Sequence, residues 1–112
     1  MAIVEEIVID ISITYPLTKE AAEEIREPLL SVVLDMVKAV SETDDGYLLM
    51  FGRTPEVIQP LSHFIQVERV VSPFMRMALI IESNDGPVKL ELSGPTGTKD
   101  FLYSEFALKR WF

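Results

Sequence analysis

Residues 77–92 read MALIIESNDGPVKLEL, and this stretch decides the fold class. Residues 76–82 divide into two alternating sets of which one is wholly apolar, and residues 88–92 alternate with the same period of two. That period is typical of strands with one buried face. The Asn-Asp-Gly triplet at 84–86 favours the tight turn of a β-hairpin. The pattern therefore predicts two antiparallel strands joined by a short turn.

The residues on either side of this hairpin are less distinctive. A Ser-Pro pair at 72–73 is compatible with a helix that continues to residue 81, but over residues 64–83 we favour strands because a hairpin turn follows. Downstream, the Gly-Pro-Thr-Gly sequence at 94–97 indicates a second turn, which leads into residues 99–103. We therefore expect the C-terminal half to form an antiparallel β-meander.

Two further strands are predicted upstream. Residues 6–15 alternate without a fault and place four isoleucines on one side, until Pro16 removes a backbone donor and closes the strand. Residues 47–51 are apolar throughout and stand between two glycines, which is typical of a strand buried on both faces. We place this second strand near the centre of the sheet.

A long acidic helix is predicted between these strands. Thr18 is a suitable N-cap, and acidic residues follow in the first turn. Pro28 cannot donate a backbone hydrogen bond, so it predicts a kink or the start of a second helix. The turn residues at 41–46 end the element. Its apolar stripe recurs at spacings of three and four: Ala22, Ile25, Leu29, Val32, Val33, Met36, Val37 and Val40.

Another helix start stands at Thr54-Pro55-Glu56, and Pro60 predicts that this helix is short or bent. Together the elements predict an α+β fold: a mostly antiparallel sheet, covered on one face by the long acidic helix and completed by the C-terminal meander. No linker, repeat or low-complexity tract interrupts the chain. Residues 1–112 are therefore expected to form one domain.

The charge of the chain is concentrated in its first part. The net charge is −8, and residues 1–45 carry eleven acidic and three basic residues, whereas residues 46–112 carry seven of each. An acidic balance opposes binding to the phosphates of nucleic acid or to anionic lipid. No apolar run approaches the roughly 20 residues that span a bilayer, and residues 1–6 lack the pattern of a signal peptide. We expect a cytoplasmic protein.

Motifs for catalysis, cofactors and metals are weak. The chain has no cysteine, which excludes thiolate catalysis and thiolate metal sites, and its only histidine, His63, is best interpreted as a surface or hydrogen-bonded residue. Residues 93–99 lack the spacing of a phosphate-binding loop, and we interpret them as a hairpin turn. We predict no catalytic residue, no cofactor and no metal site.

Two surfaces remain as candidates for partner binding. The first is the acidic face of the long helix, for which a simple solvated face is the alternative. The second is the aromatic C-terminus, which either docks on the core or contacts a partner or a second copy of the chain. The candidate residues are Glu20, Glu23, Glu24 and Glu27 on the helix and Lys109, Arg110, Trp111 and Phe112 at the C-terminus.

These surfaces predict a non-enzymatic protein interaction module, such as a small acidic subunit or adaptor with a basic protein partner. One alternative is an inhibitor or immunity-type protein whose carboxylates occupy a basic cleft. Another is a small-molecule binder or enzyme with a pocket between sheet and helix, for which the sequence offers no reacting groups.

Overall fold

The computed structural model of the protein describes residues 17–52 and 55–112. The predicted strand at 6–15 and the predicted helix start at Thr54 lie outside the described residues. Within these ranges the chain forms three α-helices and a four-stranded antiparallel sheet, which confirms the α+β class. No helix among the described residues is long and apolar enough to cross a membrane.

Helix α1 spans Lys19–Asp35. Its predicted N-cap is confirmed, because the backbone N–H of Ala21 donates to Thr18 Oγ1 at 3.1 Å. The helix continues through Pro28 without a restart, at the loss of one backbone hydrogen bond. However, α1 ends five residues before Val40, so the predicted helical stripe was too long.

Strand β1, Val37–Glu42, occupies the residues that were predicted to end the helix. It pairs with strand β2, Gly46–Phe51, and the turn between them is closed by a hydrogen bond from Thr43 N–H to the Gly46 carbonyl at 2.9 Å. The register shifts between Val37 and Ala39, which is the mark of a β-bulge. With one extra residue in the strand, Val37 and Val40 face the same side although they stand three apart, a spacing that resembles a helix.

The sheet has the order β1-β2-β4-β3, and every neighbouring pair is antiparallel. Strands β3, Arg76–Ile81, and β4, Val88–Ser93, form the predicted hairpin. Strand β2 lies inside the sheet, which confirms its predicted central position. The apolar face of β2 and β4 consists of Tyr47, Leu49, Phe51, Val88, Leu90 and Leu92, all buried in the core.

Helix α2 spans Ile58–Val71 after a short 3₁₀ turn at Pro55–Val57. It is not short, since it continues for 14 residues through Pro60, and the prediction of strand over residues 64–71 was wrong. Pro60 is the third residue of the helix, where the backbone N–H has no partner within the helix in any case. The proline therefore removes no hydrogen bond from α2.

Helix α3, Thr98–Glu105, replaces the predicted third strand of the meander. The sequence at 94–97 is the connection from β4 to α3 rather than a hairpin turn. Gly97 has φ of 98°, a left-handed conformation that glycine adopts without strain. Because Leu102 and Phe106 are both buried and stand four apart, the segment packs on the core as a helix. A 3₁₀ turn at Leu108–Trp111 ends the chain.

Candidate functional site

A buried ion-pair network joins the three helices. The Arg26 guanidinium of α1 donates to both carboxylate oxygens of Glu68 of α2, from Nε to Oε1 at 2.8 Å and from Nη2 to Oε2 at 3.2 Å. Its Nη1 donates to Glu105 Oε1 of α3 at 3.0 Å. The Ser72 hydroxyl also donates to Glu68 Oε2, at 3.0 Å. The side chain of Glu68 is fully buried, so its charge depends on these donors.

The electrostatics of Arg26 are set by two opposing effects. Burial lowers the pKa of Arg26, but hydrogen bonds and charge from Glu68, followed by those from Glu105, outweigh burial and raise it above the ordinary value. The two carboxylates therefore favour the charged form of the guanidinium despite its burial. The network orients α1 about its axis, because Arg26 reaches Glu68 only from the buried side of the helix.

This network was missed by the sequence prediction. Arg26 falls in a series of buried residues at spacings of four and three, with Ala22, Leu30 and Val33. Glu68 stands four residues after the buried Phe64 in α2. Two opposite charges, each inside an apolar series on a different helix, are the signal that could have indicated a buried pair. The predicted stripe passed over Arg26 because a charged residue is rarely buried without a partner.

The four predicted glutamates all lie exposed on α1. Glu20 and Glu24 stand one helical turn apart, as do Glu23 and Glu27, so each pair brings two negative charges together. Among the residues that the structure describes, none of the four forms an ion pair. Their carboxylates therefore face solvent and are not engaged in an ion pair within the described part of the fold.

Part of the predicted core stripe is also at the surface. Ile25 is 41% exposed and Val32 is 47% exposed, so their assignment to the core was wrong. The residues that α1 buries most deeply are instead those on the side of Arg26. Part of the apolar surface of α1 is thus left exposed beside the core.

One of these two exposed residues, Val32, lines a groove between α1 and α2. The groove has a volume of about 480 Å³ and includes the predicted surface residue His63, which is half-buried. Its α1 side is formed by Leu29 and Val32, and its other side by residues before and within the first turns of α2: Pro55, Glu56, Gln59, Pro60 and His63.

The C-terminal candidates lie elsewhere. Trp111 packs against the core, whereas Phe112 is 62% exposed and contacts the Tyr47 ring with centroids 5.9 Å apart. Lys109 and Arg110 are exposed, and the Arg110 guanidinium lies 5.6 Å from the centroid of the Trp111 ring. The aromatic tail therefore docks through Trp111 and leaves its last residue at the surface.

The tail and the glutamates do not form one site. Arg110 and Trp111 line a pocket with Leu34 and Asp35 at the C-terminal end of α1, whereas the glutamates occupy its N-terminal half. At a rise of 1.5 Å per residue, about 12 Å of helix separates Glu27 from Asp35. The two candidate surfaces are thus separate places on the molecule.

The loop between β4 and α3 precedes a helix, as a phosphate-binding loop does, but its surroundings carry the wrong charge. Asp44, Asp45 and Asp100 line the adjoining pocket, and Lys99 forms an ion pair with Glu42. Three carboxylates oppose an anion at this place. Within residues 17–52 and 55–112, no cluster of three or more acidic or histidine side chains could hold a metal ion.

Comparisons with known protein families, with curated proteins and with solved structures find no match for this chain. The described surfaces are therefore the basis for any assignment of function.

Proposed function

We propose that the protein is a non-enzymatic interaction module that binds a basic protein partner through the acidic face of α1. The observation that supports this proposal most strongly is the exposure of Glu20, Glu23, Glu24 and Glu27 on one helix, without an ion-pair partner among the described residues. The proposal places the protein in the cytoplasm, as a small acidic subunit or adaptor.

The acidic face of α1 is unfavourable for the protein on its own. Like charges one turn apart destabilise a helix by roughly 0.2–0.5 kcal/mol for each pair. A partner with lysine or arginine side chains at this face replaces that repulsion with attraction, and the negative field also increases the rate of encounter. The helix itself is well fixed for such contact, because Arg26 anchors it to α2 and α3.

The C-terminus supplies a second contact in this proposal. Phe112 offers an exposed ring beside Tyr47, and Lys109 and Arg110 flank it with positive charge. Aromatic and arginine side chains are enriched where partners are anchored. Since this surface lies apart from the acidic face, the two contacts can be tested independently.

The decisive experiment compares how well the wild type, a test variant and a control variant capture a protein partner in an affinity assay. The test variant replaces Glu20, Glu23, Glu24 and Glu27 with Gln. The control variant removes four negative charges elsewhere, through Asp44→Asn, Asp45→Asn, Glu91→Gln and Asp100→Asn. We expect a partner that binds the wild type and the control, is lost from the test variant, and binds more weakly as ionic strength rises.

Equal capture by the test variant would contradict the role of the acidic face, and equal loss from both variants would show that only the total charge matters. Phe112→Ala tests the tail in the same assay. We expect weaker capture with an unchanged melting temperature, since the ring is mostly exposed. A drop in melting temperature with unchanged capture would assign the tail to the fold alone.

A further inference from the structure

The groove between α1 and α2 combines apolar walls with one carboxylate, and the acidic face of α1 lies nearby. Ile25, Leu29 and Val32 follow one another at spacings of four and three, so they form a continuous strip along α1. Pro55 and Pro60 extend the apolar surface across the groove, and Glu56 adds a carboxylate to its lining. The strip spans about two helical turns.

The position of this strip follows from the orientation of α1. Ile25 and Val32 each stand one residue before a buried residue, Arg26 and Val33, and one residue is a rotation of about 100° around the helix. The buried ion pair therefore turns the strip to the border between core and solvent. Glu24 lies beyond the strip on the solvent side, next to the other glutamates of the acidic face.

We propose that this groove binds a basic amphipathic helix of a partner protein. The apolar side chains of that helix cover Ile25 and Val32, and its lysine and arginine side chains reach Glu24 and Glu56. Amphipathic helices commonly bind with their apolar face in a hydrophobic groove of a partner protein. The inference rests on the proposed function and specifies its partner.

Charge complementarity favours a basic helix in the groove over two other occupants, which are residues 1–16 of the chain and a second copy of the protein. Residues 1–16 of the chain contain three acidic side chains and no lysine or arginine, so they would bring negative charge towards Glu24 and Glu56. A second copy of the chain that met this groove through its own would bring two acidic faces together. A basic helix alone provides both apolar cover and opposite charge.

The test uses a synthetic peptide with leucine at every third or fourth position and lysine at most others. Its affinity for the full chain is measured by fluorescence anisotropy, and the contact surface is mapped by NMR chemical shifts. A scrambled peptide of the same composition serves as a probe of charge alone. We expect tight binding of the amphipathic peptide only, with shifts centred on Leu29, Val32 and His63.

The variant for the groove is Ile25→Thr with Val32→Thr, which exchanges apolar for polar surface; threonine is nearly isosteric with valine and smaller than isoleucine. We expect it to bind the peptide about tenfold more weakly, because two apolar contacts are lost. Ile81→Thr is the matched control, since Ile81 is 55% exposed on the edge strand β3 and should leave affinity unchanged. Equal affinity of the groove variant and the wild type, or no peptide binding, would overturn the inference.

Further outcomes separate the inference from the proposed function. If replacement of the four glutamates weakens binding and the threonine variant does not, the acidic face binds its partner without the groove. Because the chain has no cysteine, a nitroxide on Val32→Cys probes the groove directly. Broadening of the amide signals of residues 1–16 in the free protein would assign the groove to the chain itself, and a dimer in light scattering that the peptide dissociates would assign it to a second copy. Either result would overturn the inference.

Discussion

Replacement of Arg26 by methionine should destabilise the protein severely, although Arg26 lies on a surface helix. The side chain of Glu68 is fully buried and accepts two hydrogen bonds from Arg26, at 2.8 and 3.2 Å, and one from Ser72. Arg26→Met removes both guanidinium donors and leaves the carboxylate with a single hydroxyl. Methionine keeps most of the length and apolar surface of the arginine stem, so the change falls mainly on the charge.

The expected loss in the free energy of unfolding follows from how deeply each partner of Arg26 is buried. Hydrogen bonds to a charged group contribute roughly 1.5–3 kcal/mol each, and removal of one member of a buried ion pair costs about 3–5 kcal/mol. We expect the free energy of unfolding to fall by about 4 kcal/mol. Glu105 contributes little to this figure because its side chain is 43% exposed, and Glu105→Gln should cost less than about 1 kcal/mol.

The assay is urea denaturation followed by circular dichroism, applied to Arg26→Met, to Glu68→Met and to the double variant. When both charges are replaced, no unpaired charge remains in the interior, and apolar replacements of buried ion pairs are often neutral or stabilising. We therefore expect the double variant to be more stable than either single variant. A loss below about 1 kcal/mol for Arg26→Met, or a double variant whose loss equals the sum of the single losses, would refute the role given to the network.

Two further predictions concern the N-cap of α1 and the buried Tyr47 of β2. Thr18→Ala should lower the free energy of unfolding by about 1 kcal/mol, because the N-cap acceptor for the Ala21 N–H is lost, whereas Thr18→Ser keeps the acceptor and should change little; urea denaturation of both variants checks this. Burial, followed by the charge of Glu42, raises the pKa of Tyr47 above its ordinary value of 10.0, so its stabilising effect is complete below that value and is lost as pH rises through the higher pKa of the folded state. Unfolding measured across this alkaline range should therefore show a steeper loss of stability in the wild type than in Tyr47→Phe, and identical slopes would contradict the effect.

The local parts of the fold follow directly from short patterns. The hairpin of β3 and β4 depends on two alternating runs and the turn triplet between them, and all three signals lie within about 20 residues. The start of α1 depends on the Thr18 side chain and the backbone one turn later. Such features involve neighbours in the chain, so the sequence alone predicts them.

Two of the errors have a different cause, since each segment takes its structure from partners outside the segment itself. The segment Val37–Glu42 became a strand because it pairs with β2, and its bulge reproduced a helical spacing of apolar residues. Residues 98–105 became a helix because Leu102 and Phe106 both fill the core, where Phe106 packs against Phe64 with centroids 5.8 Å apart. A propensity scale contains no information about these partners.

The acidic face of α1 also depends partly on local sequence and partly on tertiary contacts. By itself the sequence determined that four glutamates share one side of a helix, since a spacing of three or four residues sets their direction around the helix axis. Only the tertiary structure decided which way that helix is turned. The pair of Arg26 with Glu68, 42 residues apart in the chain, orients α1 so that its glutamates face solvent and Val32 lines a groove with α2. The physical reason is that a buried charge is stable only beside an opposite charge. The partner of Arg26 stands on another helix, so no local pattern in the sequence indicates where the two meet.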